Sequence, residues 1–206
     1  MNRVFPPDPP PVIRQGAPES FPSSQFSGRP PVAAVRVSSL TDPAWDVVLD
    51  EGVLPQIEGH ARGTYPAESC GFLIGLRHEP RASRRRVVAA EPALNRFGGD
   101  LGRGFAIAPA EFREIELRLR NGVHQVVGIY HSHPDRPAGP SGLDQGQAWP
   151  WYTYLITAVT VDSVGPTRGF ELAEDRGAFR PLDVRVQEIR ASDGETAQTL
   201  CAQQPT

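Results

Sequence analysis

The chain has 206 residues, a formal net charge of −3 and 39% hydrophobic residues, which suffices for one domain with a sizeable core. Its mild acidity argues against a general polyanion binder, so no nucleic-acid partner is expected. Two cysteines, Cys70 and Cys201, are too few for a disulfide framework, and no apolar run is long enough for a signal peptide or a membrane span; a soluble cytoplasmic protein with no membrane partner is expected.

Residues 1–38 are crowded with Pro, Ser and Gly (PPDPPP, SFPSSQFSGRPP). Such a stretch cannot fill a core and resists helix and sheet, so it is expected to be a disordered arm. Residues 39–190 then form the folded domain, and 191–206, polar and aperiodic, a flexible tail. AWDVVL reads as a short strand. Asp50 is placed to cap a helix running to Arg62, with Leu54, Ile57 and Ala61 on one face, and Pro66 stops it. SCGFLIGL is short and apolar enough for a buried strand. RRRVVAAEPAL gives another, whose leading Arg84, Arg85 and Arg86 read as a solvated strand end or a contact for an acidic partner.

FAIA reads as a further short strand. Pro109 suits the first turn of a helix, Glu111 and Glu114 favour its start, and Asn121-Gly122 ends it, with Phe112, Ile115 and Leu119 as its buried stripe. QVVGIYHSH is a strand that Pro134 terminates. WYTYLITAVTV and the alternation around GFELAED complete the sheet, and AWPWYTY is expected to pack helix against strand. Strands and helices interleave, which predicts an α/β fold with a mixed β-sheet flanked by helices.

The chemistry concentrates in GIYHSHPDRPAGPSGLD. Side chains two apart on a strand share a face, so His131 and His133 point one way and Ser132 the other. After a Pro- and Gly-rich loop, Ser141 is placed to N-cap a new helix whose first turn holds Asp144. That arrangement would swing the Asp144 carboxylate back over the histidines. Two imidazoles and one carboxylate leave a zinc ion an open fourth position, the pattern of catalytic rather than structural sites. A water bound there would ionise near neutral pH. Taken singly, His-x-His would be a core or surface pair, Asp144 a helix-dipole carboxylate and Ser141 a cap; their joint spacing is what points to a metal. His60, His78 and His124 have no partner at ligand spacing. Cys70, inside an apolar run, reads as a buried structural thiol, although it shares a strand face with Glu68 near the expected metal.

His131-Ser132-His133-Pro134, the seven residues 134–140, and Ser141-Gly142-Leu143-Asp144 resemble the JAMM (MPN-plus) motif His-x-His-x7-Ser-x-x-Asp. Glu68, in PAESCGFLIG, stands where that family places an upstream glutamate before a glycine-containing apolar strand. The resemblance spans roughly Ala44 to Leu172, and the Trp149-Pro-Trp-Tyr152 run is similar to one in bacterial members. It implies the MPN (JAB1/MPN, cytidine-deaminase-like) fold. It also implies one Zn2+ per chain on His131, His133 and Asp144, Glu68 as general base, and Ser141 as oxyanion stabiliser.

The implied reaction is hydrolysis of the amide bond after the C-terminal Gly-Gly of a ubiquitin-like protein, either a sulfur carrier or a bacterial modifier. The extended tail of such a substrate would lie beside a sheet edge. The absence of lysine is most simply GC-rich coding; avoidance of self-conjugation by a handler of lysine-linked conjugates is the minor reading. Three rival readings stand against this one. A metal-free MPN scaffold would be marked by a lost ligand, whereas every ligand position is filled. A nucleobase deaminase would carry His-x-Glu and Pro-Cys-x-x-Cys, which are absent. The RadC-like group begins His-Asn-His-Pro-Ser-Gly, from which His131–Arg136 departs.

Overall fold

The computed structural model describes residues 46–77 and 85–187. The expected arm (1–38) and tail (191–206), the start of the first strand, His78, Arg84 and Cys201 lie outside the described residues. Within them, β1 (Val47–Asp50), α1 (Val53–Thr64), β2 (Cys70–Leu76), β3 (Arg85–Ala93), α2 (Pro109–Leu119) and β4 (His124–Pro134) follow one another. Then come α3 (Gly142–Gln147), β5 (Thr153–Val159), β6 (Val164–Leu172), β7 (Phe179–Leu182) and β8 (Val184–Gln187). The strands form one mixed sheet in the order β7-β6-β5-β4-β2-β3-β1-β8. β4 lies inside it, antiparallel to β2 and parallel to β5.

Two cores lie on opposite faces of this sheet. On one, Val53 and Ile57 of α1 pack with Val47, Leu49, Leu73, Val87, Tyr130 and Leu155. On the other, Ile115 and Leu119 of α2 pack with Phe72, Ile74, Ile129, Tyr154 and Leu172, and Phe112 completes the helix stripe. β2 is buried along nearly its whole length because both faces are covered, which is why it reads as an unbroken apolar run. Gly128 lets β4 and β5 approach: a Cβ there would stand 2.0 Å from the Thr153 carbonyl oxygen.

The sheet curls back on itself. Only Asp183 separates β7, at one edge, from β8, at the other. The side chain of Val184 on β8 comes within 2.5 Å of where a Cβ on Gly169 of β6 would stand. Asp46 and Val47 both donate backbone N–H to the Asp183 carbonyl, at 3.1 and 3.0 Å, pinning the seam. β7 and β8, each four residues long, carry too little alternation to stand out in sequence.

Three local expectations are corrected. Asp50 does not cap α1. It ends β1, and its carboxylate accepts from Arg86 Nε at 2.7 Å and Nη2 at 3.1 Å, while the cap position is Gly52 without a side-chain bond. Arg85 and Arg86 are not a solvated strand end: Arg85 donates to Thr153 Oγ1 at 3.0 Å and ion-pairs with Glu171. Both guanidiniums are thus held by partners on other strands. FAIA is extended but joins no strand ladder. Ala106 N–H instead donates to Asn95 Oδ1 at 3.2 Å, and the Ala106 carbonyl accepts from Arg96 N–H at 2.7 Å. The Trp cluster packs a helix against the sheet as expected: Tyr152 stacks on Phe112 of α2 with centroids 6.3 Å apart, and Tyr154 of β5 lies in the same core.

Candidate metal centre

β4 carries both histidines at its C-terminal end, within the sheet rather than at its edge. His131 is paired in register with Cys70 on β2 and Ile156 on β5, and His133 with Ala158. The two-residue period puts them on the face that Ile129 presents to α2. Phe105, from the extended FAIA segment, stacks on His131 with centroids 4.6 Å apart. His131 and His133 are 1% and 2% exposed, so neither ring has the solvated surroundings in which a histidine is merely decorative.

Beyond Pro134 the chain turns through Asp135, whose φ of 52° is left-handed. Asp135 is pinned by its N–H to the Val159 carbonyl at 2.8 Å and by the Tyr65 hydroxyl, which donates to its carboxylate at 3.0 Å. The loop then delivers Ser141 to the N-cap of α3. Ser141 Oγ accepts from Asp144 N–H at 3.2 Å, and Asp144 Oδ2 accepts from the Ser141 N–H and hydroxyl, each at 2.6 Å. This reciprocal capping box is the local reason that α3 starts where it does. It also fixes the Asp144 carboxylate over the histidines. The Ser141 proton points at Asp144 in this state.

Asp144 Oδ1 lies 3.3 Å from His131 Nε2, Oδ2 lies 3.5 Å from His133 Nε2, and the two Nε2 atoms are 3.1 Å apart. Around a tetrahedral ion with ligand bonds of about 2.0–2.1 Å, donor atoms stand about 3.3–3.4 Å from one another. Each imidazole meets a different Asp144 oxygen at a separation of that size, and one donor atom from each residue lies within 4.8 Å of the others, so the three converge on a space that could hold a metal ion. His133 supports the fit further. Its Nδ1 lies 2.9 Å from the Pro137 carbonyl, which only accepts, so Nδ1 carries the hydrogen and Nε2 is left with its lone pair toward the site. Burial pushes the Asp144 carboxyl up, but the neighbouring His131 and the hydrogen bond from Ser141 outweigh it and hold it well below the usual carboxylate range.

Glu68 stands just before β2 and is 2% exposed. Its backbone is fixed at both ends: N–H donates to the Leu101 carbonyl at 2.7 Å, and its carbonyl accepts from Asn95 Nδ2 at 3.0 Å. The next residue is bound to β4 twice, Ser69 N–H to Ser132 Oγ at 2.8 Å and Ser132 N–H to the Ser69 carbonyl at 3.0 Å. Ser132, turned away from the imidazoles, thus ties the glutamate segment to the histidine strand. Burial pushes the Glu68 carboxyl up, opposed by the Arg136 guanidinium and reinforced by the Asp144 charge. One carboxylate oxygen, Oε2, is buried without a hydrogen-bond partner among the described residues.

All four residues named for metal and base are thus gathered at one end of β4, with Ser141 beside Asp144. Cys70 is fully buried, its thiol faces the Ala93 carbonyl at 3.8 Å, and burial raises it to about 12. It is a packing residue. His60 instead meets the buried Tyr130 hydroxyl, Nδ1 to Oη 2.9 Å. Sequence reasoning missed two contributors. Arg136 ion-pairs with Glu68, and Asn95 uses its whole amide, donating to Glu68 and Gly104 carbonyls and accepting from Phe97 and Ala106 N–H. A lone Asn after a strand carries no signal of that kind; Arg136, inside the motif's spacer, was visible but had no visible partner.

Residues 50–171 match the model of a family described as prokaryotic homologues of the JAB domain. The protein named Desampylase from Haloferax volcanii is 34% identical over 138 residues, 66% of this chain and 91% of that one. The tail tip assembly protein K of Escherichia phage N15 is 29% identical over 108 residues, which cover 50% of this chain and 39% of the phage protein. A solution structure of a Desulfitobacterium hafniense protein superposes with a TM-score of 0.60 at 25% identity, covering 71% of this chain and 96% of that one. One from Salinibacter ruber gives 0.53 at 34% identity, covering 67% and 90%.

Proposed function

The chain belongs to the prokaryotic JAB-domain branch of the JAMM/MPN family, and from that premise we propose that it is a zinc-dependent hydrolase acting on a ubiquitin-like protein. The bond cut is the amide after that partner's C-terminal Gly-Gly. The observation that carries the reading is the convergence of the His131, His133 and Asp144 donor atoms within 4.8 Å beside a buried glutamate with one unengaged oxygen. The substrate class is proposed from the relative named Desampylase.

His131, His133 and Asp144 would hold Zn2+, which supplies Lewis acidity toward a carbonyl and makes water more acidic. Glu68 takes the proton of the attacking water and returns it to the departing amine, a role that requires proton-transfer reach and an ionised starting state. Ser141, once its hydroxyl turns from Asp144, donates to the oxygen on which charge develops. His133 is kept in the ligand tautomer by Pro137. Burial of the site excludes bulk water and strengthens each of these interactions. Among the described residues no helix is long and apolar enough to cross a membrane, and we place the reaction in the cytoplasm, where an unanchored modifier or carrier would be met.

Zinc content of the purified protein, measured beside Asp144→Ala, tests the reading. About one zinc per chain, lost in the variant, is expected, together with cleavage of a carrier fused after its Gly-Gly. A wild type that takes up no zinc on reconstitution would point to a scaffold instead.

A further inference from the structure

We infer that Arg136 is the positioning residue of the Glu68 carboxylate, gripping one oxygen so that the other is left to accept a proton. The inference rests on the hydrolase reading above. The left-handed turn at Asp135, held by Val159 and Tyr65, directs the next side chain inward rather than to solvent. There Arg136 Nη2 donates to Glu68 Oε1 and also reaches the Gly102 carbonyl at 3.4 Å. The guanidinium side chain is 29% exposed and the carboxylate side chain 1%.

That asymmetry separates this pair from an ordinary surface ion pair, which contributes little. The carboxylate is the deeply buried member, and a buried charge whose partner is removed is strongly destabilising. A glutamate's terminal torsion is broad when packing alone restrains it, and a planar guanidinium supplies the missing restraint through a charge-assisted hydrogen bond. With Oε1 taken, only Oε2 remains, and it is buried without a partner among the described residues. The two oxygens therefore have different tasks: one is anchored and one is free. Arg136 is not among the three converging metal-donor residues, and its role is through Glu68.

Two measurements decide it. Thermal unfolding in EDTA of wild type, Arg136→Gln, Glu68→Gln and the double variant reads the pair without metal or turnover. Arg136→Gln is expected to lower Tm by several degrees, and Glu68→Gln to remove most of that drop when combined with it. Kinetics of the zinc-loaded proteins on a carrier fused after Gly-Gly read the positioning. Arg136→Gln is expected to lower kcat about tenfold or more with KM within about twofold, and Arg136→Lys, which keeps the charge but not the planar guanidinium, to recover part of the loss. Additive Tm changes would overturn the pair, and an unchanged kcat in Arg136→Gln would overturn the positioning role alone. A wild type that holds zinc yet cleaves no such fusion would overturn the hydrolase reading and this role together.

Discussion

Replacing Glu68 by Gln removes the base while leaving its shape, and the structure sets how the loss should be divided. The side chain is 1% exposed and is not among the three donors whose atoms converge within 4.8 Å, so zinc content should stay at one per chain. The Gln carbonyl oxygen still accepts from Arg136, and the buried charge that burial opposes is gone. Stability should therefore change by no more than about 1 kcal/mol, since a weakened ion pair and a relieved desolvation penalty oppose each other. Catalysis has no such compensation. An amide cannot take the water proton, and general-base assistance is worth about 10²–10⁴-fold, or about 3–5 kcal/mol at about 1.36 kcal/mol per tenfold. The assay is steady-state cleavage of a carrier fused after its Gly-Gly, with zinc by elemental mass spectrometry and Tm on the same preparations. A Gln variant keeping more than a tenth of wild-type kcat would refute the base assignment. One losing zinc in parallel with activity would make Glu68 part of the metal site.

Cys70 should resist alkylation in the folded protein. With the thiol raised to about 12, only about 10⁻⁴ of it is thiolate at pH 8, against roughly a quarter of an exposed thiol; peptide mapping after iodoacetamide treatment should find Cys70 modified only once the protein is unfolded. Gly128→Ala should cost about 3 kcal/mol or more, read as a lowered urea midpoint. The added methyl would stand 2.0 Å from the Thr153 carbonyl oxygen, and backbone paired in register on both strands has little freedom to retreat. A Gly128→Ala midpoint within error of wild type would mean that β4 and β5 are further apart than described.

The parts of this molecule that were legible in sequence are those whose physics is local. A two-residue strand period places His131 beside His133, and a capping box spanning Ser141 to Asp144 turns the carboxylate toward them. Neither needs knowledge of another element. Glu68 is different: from its own neighbourhood it would be read as an exposed strand-edge charge, and only the resemblance marked it, because what buries it is the Leu101 carbonyl, Asn95 and Arg136, none adjacent in sequence. The errors have the same origin. Asp50 has the chemistry of a helix cap and Arg85-Arg86 that of a solvated run, yet each finds an opposite charge on an element whose pairing no local pattern reveals, Asp50 with Arg86 and Arg85 with Glu171. β8 joins β1 across the length of the domain for the same reason. A charged residue is assigned to solvent by default because most charges lie there; the default fails where two opposite charges are brought together by long-range strand order. Arg136 is the instance that matters most for chemistry, since the spacer of a metal motif reads as mere length until its arginine is seen to pair with the buried Glu68.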